Sequence, residues 1–203
     1  MSNFFNKLIK KNKKKFLFIA ELSANHSGNL KNAFKLIKLS KKNGADFVKF
    51  QTYEKNSMTL SNDNKEFVIK DGIWKNKRLW SLYENAQTPF SWQKKLFDTA
   101  TKEKIKAFST PFDKNGVEIL KKLNCRVIKI ASLEANDYPL IDEIAKLKKP
   151  VIFSTGTSNL SEIQKTYLYL KKKGIKDIAI LYCVSNYPSS YKDFNFKNLH
   201  ILK

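Results

Sequence analysis

The chain has 203 residues, of which 42% are hydrophobic and 13% aromatic, and its formal net charge is +21. This length and composition predict one folded domain rather than a disordered chain. No apolar stretch approaches the roughly 20 residues that a membrane-spanning helix needs, and the basic N-terminus lacks the long apolar core of a secretory signal. Two cysteines, Cys125 and Cys183, are too few for a disulfide framework, so we expect a cytoplasmic protein with free thiols.

The positive charge is carried almost entirely by lysine. Of the 39 basic residues only Arg78 and Arg126 are arginines, and guanidinium groups are preferred for bidentate contacts to phosphates and bases. The lysines recur along the polar faces of predicted helices, which is typical of solvated surface. We therefore expect neither a nucleic-acid nor a membrane partner. If any segment binds such a partner, the lysine-rich tract at residues 10–15 is the best candidate.

Short apolar segments alternate with helical patterns along the chain. After a basic lead-in at residues 1–15, the helical patterns cover residues 30–42, 91–104, 113–123, 138–147 and 159–173. Between them, six runs rich in β-branched and aromatic residues each end in a polar residue, as strands buried on both faces do. These predicted strands cover residues 16–21, 47–51, 107–110, 127–130, 151–154 and 178–183. Residues 52–91 lack the alternation but are rich in aromatics, so we expect them to pack over the domain.

Strict alternation of strands and helices predicts a parallel sheet, either closed as a barrel or open and doubly wound. The open fold usually carries a glycine-rich phosphate turn after its first strand. Here that turn is SANHSGN, with the single glycine Gly28. The pattern therefore favours a TIM (β/α) barrel that is incomplete, because six strands are predicted where a closed barrel has eight.

The candidate chemistry lies at the strand ends, where barrel enzymes place their active sites. Lys49 and Lys129 stand inside otherwise apolar strands, and a buried lysine is costly unless a counter-ion faces it. Glu21 and polar groups end the neighbouring strands. Two cations with several hydroxyls predict a pocket for a small, multiply charged anion. The uncharged polar groups are Gln51, Ser109, Thr110, Ser132, Ser154 and Ser185.

Other roles remain open for these residues. Either lysine could pair structurally with Glu21 or Glu134, or form a Schiff base as in some barrel aldolases. Glu21 is a candidate general acid or base. In the first loop, Asn25 and His26 lie close to Glu21 in sequence and are candidate binding residues. The sequence contains no cluster with the spacing of metal ligands.

Six motifs, in order along the chain, resemble those of the sialic acid synthase family, the phosphoenolpyruvate-condensing synthases of nine-carbon sugar acids. They are IAELSANHSGNL, GADFVKFQTY, FSTPFD, KIAS, PVIFSTG and SNYPS, and the similarity runs from about residue 16 to residue 190. Two further segments, LWSLYENAQTPFSW and KIASLEANDYPLI, resemble the branch of the family that forms pseudaminic acid. N-acetylneuraminate-forming and legionaminate-forming members are the alternatives.

The resemblance implies a TIM barrel that condenses phosphoenolpyruvate with an aminosugar aldehyde, for the pseudaminate branch a 2,4-diacetamido-2,4,6-trideoxy-altrose. A divalent metal, Mn²⁺ or Mg²⁺, would polarise the aldehyde, which makes a Schiff base unlikely. By position, Glu21 matches the acidic residue near the reacting aldehyde, and Asn25, His26 and Tyr187 match the sugar end. The matches to phosphoenolpyruvate-binding positions are Lys49, Gln51, Thr110, Lys129, Ser132, Ser154 and Ser185, with Ser109 adjacent to them.

The chain also departs from the family pattern. Members continue with two more barrel strands that carry the metal-binding histidines, and with a small antifreeze-like domain that reaches over the partner's site in a homodimer. We therefore expect residues 16–203 to form a barrel domain truncated before its last two strands, without the antifreeze-like domain and without metal ligands of its own. An inactive remnant that only binds anions or nucleic acid is the alternative of another class.

Overall fold

A computed structural model describes residues 4–11, 16–186 and 188–202. Its strands are β1 (Ile19–Glu21), β2 (Phe47–Thr52), β3 (Lys106–Pro111), β4 (Ile128–Ile130), β5 (Val151–Ser154) and β6 (Ile178–Leu181). Its helices are α1 (Phe4–Lys11), α2 (Leu30–Lys42), α3 (Lys55–Met58), α4 (Leu79–Ala86), α5 (Phe90–Lys102), α6 (Lys114–Lys122), α7 (Tyr138–Lys146), α8 (Leu160–Lys172) and α9 (Asn198–Ile201). Short 3₁₀ turns occupy Lys65–Phe67 and Tyr191–Asp193.

The six strands form one curled parallel sheet in the order β1-β2-β3-β4-β5-β6. Each strand therefore pairs with the next one along the chain, and helices cover the outer face. This is the arrangement of a TIM barrel, so the predicted fold class is confirmed. Within the part of the chain that the structure describes, β1 and β6 pair with a strand on one side only.

Side-chain caps explain why the predicted helix boundaries hold to within one or two residues. The side chain of Asn29 accepts the first free backbone N–H groups of α2, and Asp113 and Asp137 do the same for α6 and α7. At α8 the cap is reciprocal, because Asn159 accepts from Glu162 N–H while the Glu162 carboxylate accepts from Asn159 N–H. These local signals position the loops that follow each strand.

The inner face of the sheet is layered. Phe47, Phe108 and Ile152 lie together near the amino ends of the strands, and the two aromatic rings meet edge to face at 5.9 Å. Helix α1 closes this end of the sheet, with Phe5 and Leu8 packed against the same core. Two residues further along each of these strands, the inner side chain is polar. An apolar floor thus lies beneath a polar layer at the carboxyl ends.

Helix α1 corrects one expectation, because the sequence analysis assigned no element to residues 1–15. The backbone N–H of Phe4 donates to Asp177 Oδ1 at 2.6 Å, which ties the helix to the loop before β6. Most of the lysine-rich tract, residues 12–15, lies outside the described residues. No helix in the described ranges combines the length and the apolar character that crossing a membrane requires.

The aromatic segment between β2 and α5 contains α3, a 3₁₀ turn and α4. Tyr53 joins it to the body of the domain, with its ring 5.2 Å from that of Phe112 and 6.2 Å from that of Tyr83 on α4. Burial raises the pKa of Tyr53 to about 12. The segment therefore packs beside the carboxyl ends of β2 and β3, as its composition predicted.

Candidate functional site

Lys49 lies in an ion pair at the rim of the polar layer. Parallel pairing aligns Glu21 of β1 with Lys49 of β2, and Glu21 Oε2 is 2.5 Å from Lys49 Nζ. The lysine side chain is only 13% exposed, whereas that of Glu21 is 46% exposed. Lys49 Nζ also donates to Thr110 Oγ1 on β3 at 3.3 Å. Glu21 is thus the solvent-facing partner of a nearly buried cation.

Lys129 is the second cation and is 5% exposed. Its ammonium group donates to the Ile130 carbonyl at 2.8 Å and to Ser154 Oγ. Burial is the main cause that lowers the pKa of Lys129 to about 8, and repulsion by the Lys49 charge lowers it further. Lys49 and Lys129 both lie on the inner face of the sheet with only β3 between their strands, and their charges are close enough to repel each other.

The segments after β4 and β6 bring two more hydroxyls, those of Ser132 and Ser185, close to Gly156, which follows β5. Gly156 N–H donates to Ser132 Oγ at 3.1 Å, and Thr157 Oγ1 donates to the Ser132 carbonyl at 2.9 Å. Ser185 lies near Gly156 at the end of the segment that follows β6. We refer to Lys49, Thr110, Lys129, Ser132 and Ser154 as the lysine–hydroxyl cluster.

Each hydroxyl oxygen of the cluster accepts a hydrogen bond from within the protein. Thr110 Oγ1 accepts from Lys49, and Ser132 Oγ accepts from Gly156 N–H. Ser154 Oγ accepts from Lys129 and, at 3.4 Å, from the Cys183 thiol. A hydroxyl has one proton to donate, and among the described residues these protons have no protein acceptor. Three hydroxyls that can donate and two ammonium groups therefore lie at neighbouring strand ends, an arrangement that suits anionic oxygens.

Glu134 is a residue that the sequence analysis considered only as a structural partner for a lysine. Its Oε2 is buried and, within the described residues, has no hydrogen-bond partner. Burial raises the pKa of Glu134, while Lys129 opposes that shift. Burial raises the pKa of Tyr83 on α4, and the Glu134 carboxylate raises it further. Glu134 therefore lies beside the site, between β4 and the aromatic segment. Its position two residues after Ser132 is the sequence feature that could have indicated this.

Ser109 and His26 lie elsewhere, in a network on the outer side of the sheet. Ser109 Oγ is 2.7 Å from Thr52 Oγ1, which donates to Gln93 Oε1 at 3.1 Å. His26 Nε2 is 3.0 Å from Thr88 Oγ1, and burial lowers the pKa of His26. All five side chains are buried. The structure therefore does not bring Ser109 or His26 together with the lysine–hydroxyl cluster. Ser109 faces away because alternate residues of a strand face opposite sides of the sheet, and the loop after β1 places His26 against Thr88.

This alternation gives a direct prediction for adjacent hydroxyls on β3. If the cluster binds the phosphoenolpyruvate that the family resemblance implies, Thr110→Val should weaken that binding about 10-fold or more, since it removes a donor that faces the cluster. The matched variant Ser109→Ala should leave the dissociation constant within about twofold and lower the free energy of unfolding by roughly 1 kcal/mol. Calorimetric titration and urea unfolding of both variants measure these effects. A larger binding loss in Ser109→Ala would contradict the assigned directions.

The remaining predicted residues are placed as follows. Asn25 Nδ2 donates to the Glu21 carbonyl at 3.3 Å, so it shapes the first loop. Gln51 pairs in register with Thr110, and alternation puts it on the same face as Lys49. Tyr187 lies outside the described residues.

The described residues do not fit a divalent metal site. Within them, no three or more His, Cys, Asp or Glu side chains come together as a ligand set. Glu21 is engaged with Lys49, and Glu134 lies near Lys129, so both carboxylates face cations.

Comparison with known proteins identifies the family to which the chain belongs. Residues 36–203 match the family model described as the NeuB family. The chain is 46% identical over 190 residues to a pseudaminic acid synthase of Campylobacter jejuni subsp. jejuni serotype O:2, covering 94% of this chain and 55% of that protein. It is 40% identical over 181 residues to a pseudaminic acid synthase of Helicobacter pylori, covering 89% of this chain and 53% of that protein. The chain thus spans about half the length of the curated relatives it matches.

Solved structures show the same similarity. An N-acetylneuraminic acid synthetase from Leptospira borgpetersenii, solved in complex with citrate, matches with a TM-score of 0.79 and 30% identity, covering 92% of this chain and 60% of that one. A truncated 3-deoxy-D-arabino-heptulosonate 7-phosphate synthase from Thermotoga maritima matches with a TM-score of 0.63 at 11% identity, covering 92% of this chain and 59% of that one, which shows the fold alone. The motifs, the fold and the family match together show that this chain belongs to the NeuB family.

Proposed function

We propose that the chain binds phosphoenolpyruvate in the lysine–hydroxyl cluster and carries that half of the active site of a synthase of nine-carbon sugar acids. The observation that supports this most is the pair of nearly buried cations Lys49 and Lys129, whose charges repel each other beside hydroxyls that have no acceptor for their protons among the described residues. Two cations kept apart from solvent repel each other, and an anion between them would remove that cost.

The shape of the cluster suits an anion with two charged ends. Lys49 and Thr110 lie on β2 and β3, whereas Lys129 and Ser154 lie on β4 and β5. Phosphoenolpyruvate carries a carboxylate and a phosphate, and each end needs charge-assisted donors. Ser132 and Ser185 lie beyond β4 and β6, where they extend the donor set toward the rim. Gln51 adds an amide on the same face.

In the proposed reaction, carbon 3 of phosphoenolpyruvate forms a bond to the aldehyde carbon of an aminosugar. Water then adds to the cationic carbon 2, and the tetrahedral intermediate releases phosphate by C–O cleavage. The lysines hold the charges of the phosphate and carboxylate throughout. Glu21 is exposed at the rim and is positioned to meet the sugar hydroxyl that forms from the aldehyde. Glu134, whose raised pKa eases protonation, is a second group that can hold a proton there.

The sugar that we propose is the 2,4-diacetamido-2,4,6-trideoxy-altrose of pseudaminic acid synthesis. Its support is the identity to two relatives named pseudaminic acid synthase, 46% and 40%, against 36% to a relative named N,N'-diacetyllegionaminic acid synthase. Legionaminate or N-acetylneuraminate synthesis is the alternative. A divalent metal, a homodimer, a cytoplasmic location, and sugar-binding roles for Asn25, His26 and Tyr187 remain expectations from the family resemblance.

Calorimetric titration of the 203-residue chain with phosphoenolpyruvate tests the binding half of this proposal. We expect saturable binding at one site, retained at physiological salt. Weak binding of any polyanion that disappears as salt rises would instead favour the remnant that binds anions through surface lysines.

Turnover is tested by joining the chain to the C-terminal part of the Campylobacter jejuni relative. Release of phosphate is measured with phosphoenolpyruvate, Mn²⁺ and each candidate sugar in turn. The diacetamido-altrose should give the highest kcat/KM. A folded fusion that binds phosphoenolpyruvate but releases no phosphate with any of these sugars would reject the synthase assignment.

A further inference from the structure

Gly156 stands where the ends of three strands converge. It follows β5, which lies between β4 and β6 in the sheet, so residues after both neighbouring strands approach it. A Cβ atom built at Gly156 would lie 3.0 Å from Ser132 Oγ and 3.4 Å from Cys183 Cβ, and well inside van der Waals contact of Ser185 Oγ. No other glycine in the described ranges has side-chain hydroxyls so close.

From this convergence we infer that Gly156 is a positioning residue that sets the Ser132 and Ser185 hydroxyls for the anion, an inference that rests on the proposed phosphoenolpyruvate site. The missing side chain lets Ser185 Oγ occupy the space over the glycine. The backbone N–H of Gly156 donates to Ser132 Oγ at 3.1 Å and so leaves the Ser132 proton for the ligand. One residue therefore fixes two hydroxyls from opposite sides of β5.

The other glycines have different reasons for their presence. Gly28, Gly44 and Gly72 have positive φ angles and open space around the Cα atom, so backbone conformation accounts for them. Gly116 has close contacts, but with backbone and helix-cap atoms: its Cβ would lie 2.6 Å from the Thr52 carbonyl oxygen. Gly116 is thus a packing glycine and provides a matched control for Gly156.

A double-mutant cycle tests the inference. Dissociation constants for phosphoenolpyruvate are measured for the wild type, Gly156→Ala, Ser185→Ala and the double variant. If Gly156 acts by making room for Ser185, the first substitution displaces the hydroxyl that the second removes. We expect Gly156→Ala to weaken binding about 10-fold or more, and the double variant to bind about as well as Ser185→Ala alone. Additive effects, or unchanged binding in Gly156→Ala, would overturn the inference.

Folding is controlled separately. Gly116→Ala should lower the unfolding temperature while its folded fraction binds phosphoenolpyruvate like the wild type. If Gly156→Ala does not fold, the double variant tests the inference instead. Removal of Ser185 Oγ should then restore the fold. A double variant that stays unfolded would count against the inference. Wild-type protein that fails to bind phosphoenolpyruvate would reject the proposed function and this inference together, whereas additive effects on a binding wild type would reject only the inference.

Discussion

Replacing Lys129 by methionine is expected to weaken phosphoenolpyruvate binding by about 100-fold or more and, at the same time, to stabilise the fold. Lys129 is almost fully buried beside Lys49, and its ammonium group has a hydroxyl and a carbonyl as its hydrogen-bond partners. A bound anion would lose one of its two cations, which is the larger effect. Without the anion, the charge is a cost that methionine, of similar length, does not carry.

The size of the stability gain follows from the pKa. A shift from 10.5 to about 8 corresponds to a cost on the order of 3 kcal/mol for keeping Lys129 charged in the folded protein. Because the pKa is lower in the folded chain, the unfolded chain binds more protons between pH 8 and 10.5, and the cost fades as pH rises through that window. Urea unfolding should therefore show the largest gain of Lys129→Met near pH 7 and a smaller one above pH 10.

The same pKa sets the pH dependence of binding. Below pH 8 Lys129 is charged before the anion arrives, whereas above pH 8 a proton must be taken up with the anion. We expect affinity to fall by up to about tenfold per pH unit above pH 8 in the wild type, and Lys129→Met to lack this dependence. Lys38→Met, an exposed lysine on α2, should change neither affinity nor its pH profile. Equal losses in both variants would point to general charge rather than to a site.

Glu21→Gln is expected to change binding and turnover in opposite directions: phosphoenolpyruvate binding should become tighter and kcat should fall. Lys49 Nζ is 2.5 Å from the Glu21 carboxylate, which competes with any anion for that ammonium group. Because the pair is partly exposed, removing the carboxylate charge should tighten phosphoenolpyruvate binding only about 2- to 10-fold. In the fusion protein, loss of the rim carboxylate should lower kcat by about 100-fold or more, as for a general acid or base.

Two measurements check this result. Calorimetric titration gives the affinity of the Glu21→Gln chain, and phosphate release gives kcat of the fusion that carries the same change. A variant with weakened phosphoenolpyruvate binding and unchanged kcat would show that Glu21 holds the anion rather than the reacting sugar. Lys49→Met, measured in parallel, should lose binding. That loss would show that the Lys49 cation, and not the Lys49–Glu21 ion pair, attracts the ligand.

The candidate site residues could be predicted because buried strands have a recognisable sequence pattern. A lysine inside a buried apolar strand is rare enough to make Lys49 and Lys129 candidates for one site, and the end of each strand can be located within two residues. Local caps such as Asn29 and Asn159 fix the helices between them. The alternation of strands and helices predicts a parallel sheet, whereas the pairing of Glu21 with Lys49 is seen only in the structure.

The tertiary structure alone decided which polar groups face the cluster. Ser109 and Thr110 are adjacent hydroxyls at one strand end, and only the register of β3 shows that the first joins Gln93 outside while the second meets Lys49. The free carboxylate oxygen of Glu134 depends on how the aromatic segment folds back, and the role of Gly156 on how close Ser132 and Ser185 come. Strand ends follow from local pattern and propensity, whereas the direction and the spacing of side chains depend on contacts between residues far apart in the chain.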